Sequence, residues 1–507
     1  VTQVEESKTP TARRRRGAIA LPALVAGLGL AFSVPPWGFW VLAFPASGLL
    51  FWRLDGLPAR ARLWAGWLAG LGCLVPGLMW LRSFSVPGGI VLILMEAFLL
   101  ALGAWATCPG PKWARAASYV GAMTMAEALR DHWPFGGLPI GGIFLGQAES
   151  PLLGVARVAG PLGITALIHL TGVALVALLF ALRHRDGDGS WLRLGSVALG
   201  VTILIAAFGA VAPDGGPPVR SVTAALIQGG GKRGFRKAQV DPATVLAAQF
   251  AATQQLQRRD GRHVPELVVW PEDVVSLNEP LGQSPEEGVL SVTAANLKTT
   301  LVVGVTENET PATFRNEAVA WGPDGQLAGR FEKVHRVPFG EYVPYRGFFA
   351  HLGNLSAVPR DAIPGTASGL ITTPAGPLGV MVSYEVFYAD RGRSSVRAGA
   401  ELLVVPTNTS SYSTAQVPTQ EVAADQIQAV EQGRDLLQAA PTGYSTVVNH
   451  RGELLQRSVL GGRQVLQATV DERRGRTIYV NWGDNPVLVL AGIAVATSWL
   501  WRRRAQS

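Results

Sequence analysis

Leu267-Val-Val-Trp-Pro-Glu272 is an apolar run closed by a proline and a carboxylate. The same pattern, a strand-like run that delivers a reactive side chain, returns at Phe331-Glu-Lys333-Val-His-Arg-Val-Pro-Phe-Gly-Glu341 and at Gly379-Val-Met-Val-Ser383-Tyr-Glu385. A side chain placed directly after a strand is held by a rigid sheet and exposed by a loop. The three segments therefore offer a carboxylate, an ammonium and a hydroxyl that can converge in one pocket.

Outward from these segments, strand-like runs recur at Val222–Ile227, Leu267–Trp270, Thr300–Val305, Glu317–Trp321, Leu378–Val382, Leu402–Val405, Leu437–Ala440 and Val465–Val470. Helical spacing lies between them over Pro242–Arg258, Pro285–Leu297 and Gln416–Arg434. Strands alternating with helices over this length predict a layered α/β domain. No internal repeat or low-complexity tract interrupts it.

The flanks are of a different kind. Mean hydropathy is +0.24 and 16% of the residues are charged, against about 25% in soluble domains. Apolar windows of about 18 residues or more, enough to cross hydrocarbon, fall near 17–34, 37–53, 63–81, 88–108, 113–129, 152–182, 191–212 and 486–501. The chain thus divides into a basic cytoplasmic tail (1–16), a membrane domain of about seven helices (17–212), an α/β domain (213–485), and a last membrane helix with a basic tail (486–507). The sum is about eight spans. No small-x-small cleavage site follows Arg13–Pro35, so the first window reads as a span rather than a cleaved leader.

Basic residues orient the spans, because Lys and Arg are retained on the cytoplasmic side of short loops. One set of alternate loops holds Arg13 to Arg16, Arg53, Arg60, Arg62, Lys112, Arg115, Arg183, Arg185, Arg193 and Arg502 to Arg504, while the other holds little beyond Arg82 and Arg130. Both termini are expected in the cytoplasm and residues 213–485 outside. The same placement explains the net charge of +8 without nucleic acid, since basic residues are not massed with aromatics on one segment. Cys73 and Cys108 both sit in or beside apolar windows, so neither a disulfide framework nor a metal cluster is available. No cofactor is expected.

At its three reactive segments the chain resembles the nitrilase, or carbon-nitrogen hydrolase, superfamily. The flanking spans, together with Glu127-Ala-Leu-Arg130, Pro338-Phe-Gly-Glu-Tyr-Val-Pro344, Asn408, Glu431-Gln-Gly-Arg434 and Gly483-Asp484, narrow the likeness to the apolipoprotein N-acyltransferase family. The resemblance covers nearly the whole chain. It implies an α-β-β-α sandwich on the extracytoplasmic face of a bacterial cytoplasmic membrane. It implies Glu272 as general base, Lys333 as oxyanion stabiliser, Ser383 as nucleophile and Glu341 as a supporting carboxylate. Tyr384 and Glu385 would shape the pocket, with the Tyr384 amide an oxyanion donor, and Asn408, Trp133 and Phe135 would contact substrate. The implied reaction is ping-pong: a phospholipid, such as phosphatidylethanolamine at sn-1, donates an acyl chain that the α-amine of a diacylglyceryl-cysteine lipoprotein accepts. Membrane lipids are then its surroundings. An Ala/Gly/Arg-rich composition suggests actinobacterial relatives, which implies a polyprenol-phosphate mannose synthase as a further partner.

Ser383 departs from the family, whose nucleophile is cysteine. Three readings stay open: a native serine forming an oxyester, a deliberate replacement that stops turnover, or an inactive lipid-binding scaffold. A hydroxyl is a poorer spontaneous nucleophile than a thiol, so a working serine leans harder on its base. A membrane-anchored C–N hydrolase that uses water is a further alternative.

Elsewhere the residues have ordinary explanations. A lone lysine is almost always at the surface, yet the 44 basic residues include lysine only at 8, 112, 232, 237, 298 and 333. Lysine inside the Phe331–Glu341 segment thus points to a role that guanidinium cannot fill. Glu431 and Arg434 have the spacing of an (i, i+3) helix pair. His335 reads as a loop histidine and Asp484 as part of an interfacial turn beside Trp482. Trp133 and Phe135, before the Gly-rich 136–146 stretch, either flank a lipid entry or belong to an aromatic belt.

Overall fold

The computed structural model describes residues 12–83, 86–183, 189–234, 240–257, 265–351, 355–356 and 358–504. Residues 1–11 of the expected basic tail, Arg185, and Arg258 at the end of an expected helix lie outside these.

The N-terminal apolar segments form α1 (Ala12–Ser33), α2 (Ala43–Arg53), α3 (Ala59–Gly77), α4 (Val86–Ala106), α5 (Lys112–His132), α6 (Ala156–Arg183) and α7 (Ser190–Val211). By length and composition α4, α7, and α6 taken with the turn before it (Leu153–Arg183) can each cross a membrane. The window at 37–53 becomes a 3-10 turn at Trp40–Leu42 followed by the 11-residue α2. At a rise of 1.5 Å per residue, α2 covers roughly half of a hydrocarbon core about 30 Å thick. The helices expose large apolar side chains outward, among them Val25, Ile90, Leu179, Leu204 and Phe208. In water that belt would drive association, whereas lipid tails match it. Between helices small residues allow close approach: an added methyl at Gly48 would lie 2.7 Å from the Gly172 carbonyl oxygen.

Strands β1 (Pro218–Gln228), β2 (Leu267–Val269), β3 (Val275–Leu277), β4 (Thr300–Thr310), β5 (Thr313–Trp321), β6 (Leu327–Glu332) and β7 (Asp361–Ala362) belong to a first sheet. Strand β14 (Gln464–Arg473) joins it beside β1, giving the order β14-β1-β2-β4-β5-β6, with β3 on β4 and β7 on β5. The second sheet runs β13-β12-β11-β10-β9-β8, built from β8 (Leu370–Thr373), β9 (Gly376–Val380), β10 (Leu402–Pro406), β11 (Leu436–Ala439), β12 (Thr446–Val448) and β13 (Leu454–Arg457). Helices α8 (Pro242–Gln257) and α9 (Pro285–Leu297) cover the outer face of the first sheet. Below the short α10 (Arg346–Phe349), helices α11 (Ala389–Ala398) and α12 (Gln416–Gln432) cover the outer face of the second. The short α13 (Ile478–Trp482) leads into α14 (Asn485–Arg504), which returns against α5.

Period-two alternation builds the layers. Val222, Ala224 and Leu226 of β1 face the second sheet, where Leu378, Val380, Leu402 and Val404 meet them. Ala225 and Ile227 face the other way, onto α8. The α9 boundaries match the expected ones because their chemistry is local. Ser284 caps the helix by accepting from the Glu286 amide, Pro285 opens it, and Glu286 and Glu287 oppose the dipole. All eight expected strand runs overlap observed strands. The polar β6, Leu-Ala-Gly-Arg-Phe-Glu, and β13, Leu-Leu-Gln-Arg, carry too little apolar signal to be seen in advance.

Helix α12 defies its composition. Of its 17 residues only Thr419 is not buried, although Gln416, Gln420, Glu421, Asp425, Gln426, Gln428, Glu431 and Gln432 are polar. It is wedged between the second sheet and the apolar helices, where buried amides must find partners. Gln416 Nε2 donates to the carbonyls of Pro76 (2.7 Å) and Gly77 (2.9 Å) at the end of α3. Gln420 donates to Pro35 O at 3.0 Å and accepts from Gly141 N at 3.1 Å. Gln428 donates to the carbonyls of Val386 and Tyr388.

Candidate active site

The base of the site is set by the exit of β2. Trp270 N donates to Val302 O and Gly304 N to Pro271 O, which fastens Trp270-Pro271-Glu272 across β4. A Cβ on Gly304 would lie 2.3 Å from Glu272 Cα, so only glycine lets β4 pass this close. Lys333 leaves β6 with its amide on Asn316 O at 2.9 Å. Its Nζ lies 3.0 Å from Glu272 Oε1 and 2.7 Å from Glu341 Oε1. Asn316 Nδ2 donates to the same two oxygens, at 2.8 and 3.0 Å. Each carboxylate thus meets both the ammonium and the amide in a closed ring.

Glu272 is 5% and Lys333 1% exposed, so the charges interact with little screening. Burial disfavours the Lys333 ammonium, but Glu272 and Glu341 more than offset it and hold its pKa above the ordinary value. Burial pushes Glu272 above the usual carboxylate range; Lys333 pulls it down, and Glu341 pushes it up. Glu341 is fixed from behind, where its Oε2 accepts from Val337 N at 2.8 Å.

Ser383 opens a 3-10 turn (Ser383–Phe387) directly beyond β9, with φ of +53°. That left-handed conformation costs a non-glycine residue of order 1–3 kcal/mol and persists only where surroundings enforce it. Glu385, fully buried, supplies the enforcement. Its Oε2 accepts from Val382 N at 2.8 Å, and its Oε1 accepts from Val334 N at 2.8 Å and His335 N at 3.1 Å. The carboxylate expected to line the pocket is therefore directed at backbone amides, joining the strand exit that carries Lys333 to the turn that carries Ser383. Ser383 is half-buried, and its Oγ lies 3.2 Å from Thr407 Oγ1. Thr407 directly follows β10, which pairs in parallel with β9, so both hydroxyls emerge on one edge. The Thr407 hydroxyl also hydrogen-bonds Glu421 Oε1.

Tyr384 and Tyr388 both donate to Gly137 O, each at 3.0 Å. Gly137 follows α5, in the loop that carries Trp133 and Phe135, and Arg130 braces the same loop by donating to Leu138 O and Ile140 O. Arg130 is itself held by Glu96 at 2.8 Å and Glu127 at 3.0 Å. Phe135 meets Phe339, Tyr345 and Phe349 edge-on, with centroids 5.8, 6.2 and 6.5 Å apart. Its carbonyl accepts from the Tyr342 hydroxyl at 3.0 Å. Trp133, Phe339, Tyr345 and Phe348 are exposed around this cluster, forming an aromatic rim shared by the two parts of the chain.

Other expected residues stand apart from the ring. Asn408 is half-buried and its Oδ1 accepts from Ser410 N at 3.1 Å, closing its own turn. His335 stacks on Tyr388 with centroids 4.0 Å apart, and its Nε2 lies 3.4 Å from Asp390. The expected Glu431–Arg434 pair gives way to other partners. The helix ends at Gln432 and Gly433 turns left-handed, so Arg434 donates to the carbonyls of Ala400, Gly433 and Gly475, while Glu431 accepts from Gln432. Asn316, Thr407 and Glu421 were not singled out from sequence. Each sits among other polar residues and takes its significance from partners distant in sequence.

Two stretches of the chain match known families. Residues 26–174 match the apolipoprotein N-acyltransferase N-terminal domain, and residues 223–479, which hold Glu272, Lys333 and Ser383, match the carbon-nitrogen hydrolase family. An apolipoprotein N-acyltransferase of Mycolicibacterium smegmatis is 30% identical over 501 residues, covering 93% of this chain and 84% of its own. One of Shewanella oneidensis is 25% identical over 520 residues, 96% of each chain. Among solved structures, a branch 10 nitrilase-superfamily protein of Saccharomyces cerevisiae shares 22% identity at a TM-score of 0.38, covering 50% of this chain and 91% of that one. With both matched regions in order and a curated relative aligned over nearly its whole length, the chain belongs to the apolipoprotein N-acyltransferase family.

Proposed function

We propose that this chain moves a fatty acyl chain from a phospholipid to the N-terminal diacylglyceryl-cysteine of lipoproteins, through an acyl-enzyme on Ser383. The observation that carries this reading is the Lys333 ammonium held between Glu272 and Glu341, in a sandwich that presents Ser383 and is bonded directly to apolar helices. Ser383 Oγ attacks the acyl ester carbonyl while Glu272 takes its proton, and Lys333 with the Tyr384 amide offsets the charge on the tetrahedral oxygen. Collapse expels the lysophospholipid alkoxide, which receives the proton from Glu272. The lipoprotein α-amine then attacks the oxyester, Glu272 accepts the amine proton, and that proton returns to Ser383 as the amide forms. The raised pKa of Glu272 suits a carboxyl that must accept and release a proton.

Both substrates are lipids, which explains a catalytic unit welded to a membrane. In this reading the long apolar windows lie in a bacterial cytoplasmic membrane, with α2 reaching only part of the way across; both termini are cytoplasmic and the sandwich faces outward, as the Lys/Arg asymmetry favours. Trp133, Phe135 and the exposed aromatics of the 339–349 loop then flank the lipid entry at interfacial depth.

The test is intact mass of the full-length protein in mixed micelles of phosphatidylethanolamine, followed by addition of a diacylglyceryl-cysteine peptide. One acyl increment on the parent, absent in Ser383→Ala, and its transfer to the peptide amine support the reading. Release of free fatty acid with the peptide left diacylated would make the chain a hydrolase instead.

A further inference from the structure

Resting on the assignment of Ser383 as nucleophile, we infer that Glu421 is a positioning residue that sets the direction of the Ser383 hydroxyl through Thr407. Thr407 Oγ1 lies 3.2 Å from Ser383 Oγ and hydrogen-bonds Glu421 Oε1. A threonine hydroxyl has one hydrogen to give, so Thr407 can donate to Ser383 or to Glu421 but not to both at once.

With Glu421 protonated, Glu421 donates to Thr407, Thr407 donates to Ser383 Oγ, and the Ser383 hydrogen is left free to pass to Glu272. With Glu421 ionised, Thr407 donates to Glu421 and Ser383 donates to Thr407. The nucleophile's hydrogen is then turned away from its base. One proton on a carboxyl that never touches substrate thus separates a productive arrangement from an unproductive one. This matters more for a serine than for a thiol, because the hydroxyl must lose its proton as it attacks.

Glu421 is placed for the task. It is 1% exposed on the largely buried α12, and its second oxygen, Oε2, has no hydrogen-bond partner among the described residues. A buried carboxylate with one unpaired oxygen is costly when charged. Burial raises its pKa to about 8, the Thr407 hydrogen bond pulls it down, Glu272 pushes it up, and Lys333 and Arg233 pull it down. Asp425 on the same helix and Tyr412 on the neighbouring loop also face it. Of these groups, Asp425 is itself pushed well above the usual carboxylate range by burial and by Glu421, while Lys333 and Tyr412 are held above their ordinary values and titrate later in alkaline solution.

The test is the single-turnover rate of Ser383 acylation by phospholipid vesicles between pH 6 and 9.5, using full-length protein. With a carboxyl titrating near pH 8, the parent's rate falls about ten-fold from pH 7 to pH 9. Glu421→Gln presents an amide donor at every pH, so its rate ratio between those two points drops to near one. Thr407→Val breaks the chain, slowing acylation and removing the same fall; Thr407→Ser restores both. An alkaline fall that persists unchanged in Glu421→Gln and Thr407→Val overturns the inference. Acylation that survives in Ser383→Ala instead overturns the nucleophile assignment, which separates the two failures.

Discussion

Glu385 accepts the amide of Val334 at 2.8 Å and, with its other oxygen, that of Val382 at 2.8 Å. One carboxylate therefore sets the spacing between the strand exits of two different sheets, and with it the separation of Lys333 from Ser383. Hydrogen bonds to a charged acceptor contribute about 1.5–3 kcal/mol each. Glu385→Gln keeps the volume but gives up one acceptor oxygen and the charge. Ser383 acylation is expected to slow by about ten-fold or more, while circular dichroism and the melting curve report a folded protein. Parent-level acylation in this variant would rule out the positioning role.

Gly304 is the second point of leverage. A methyl there would meet Glu272 Cα at 2.3 Å and Pro271 O at 2.4 Å, so either β4 or the Glu272 turn must shift. Misplacing a catalytic group by about 1 Å can cost 100-fold. Gly304→Ala is therefore predicted to lower the acylation rate by about two orders of magnitude without preventing phospholipid binding, which an equilibrium binding measurement on the same preparation checks.

Removing the ammonium has a different signature. Lys333→Met leaves Glu272 and Glu341 facing each other in a buried ring with Asn316 as the remaining donor to both. Breaking one side of a buried ion pair costs about 3–5 kcal/mol, and that cost shrinks when the carboxyls can take up protons. The loss of melting temperature in detergent should be large at pH 8 and markedly smaller at pH 5. An equal loss at both values would mean that Lys333 acts by packing.

Stability of the parent should also fall with alkalinity. Glu421 keeps its proton to about pH 8 in the folded chain, whereas the unfolded side chain releases it near about pH 4.3. The folded state thus binds the extra proton between those values, so stability is fully present below the lower value and declines as pH rises through the upper one. Glu421→Gln should flatten that decline in denaturation series run from pH 5 to 9. A slope identical to the parent's would remove Glu421 as its source.

Glu272, Lys333 and Ser383 stood out in the sequence because each lies at or just after a strand-like run, and the structure pairs the first two directly. Thr407 did not, and Asn408 beside it was singled out instead. Strand faces alternate every residue, so at the end of β10 one step separates a hydroxyl on Ser383 from an amide that closes its own turn. Asn316 and Glu421 depend on which strands and helices become neighbours, which no local pattern encodes. The spacing over Gln416–Arg434 predicted a helix and carried no sign that its polar residues would be buried. Its burial follows from carbonyls at the ends of other helices, far away in sequence, that need donors.

Those donors make the sandwich inseparable from its support. Gln416 and Gln420 spend their amides on Pro76, Gly77, Pro35 and Gly141, and Val386, Phe387, Val417, Ile427 and Val430 share one apolar cluster with Leu74, Leu78, Ile164 and Leu167, so a fragment cut at residues 213 and 485 would turn that apolar wall to water. Expression of the isolated lobe would therefore yield an aggregate, because the helix that closes the sandwich is also the socket for its support.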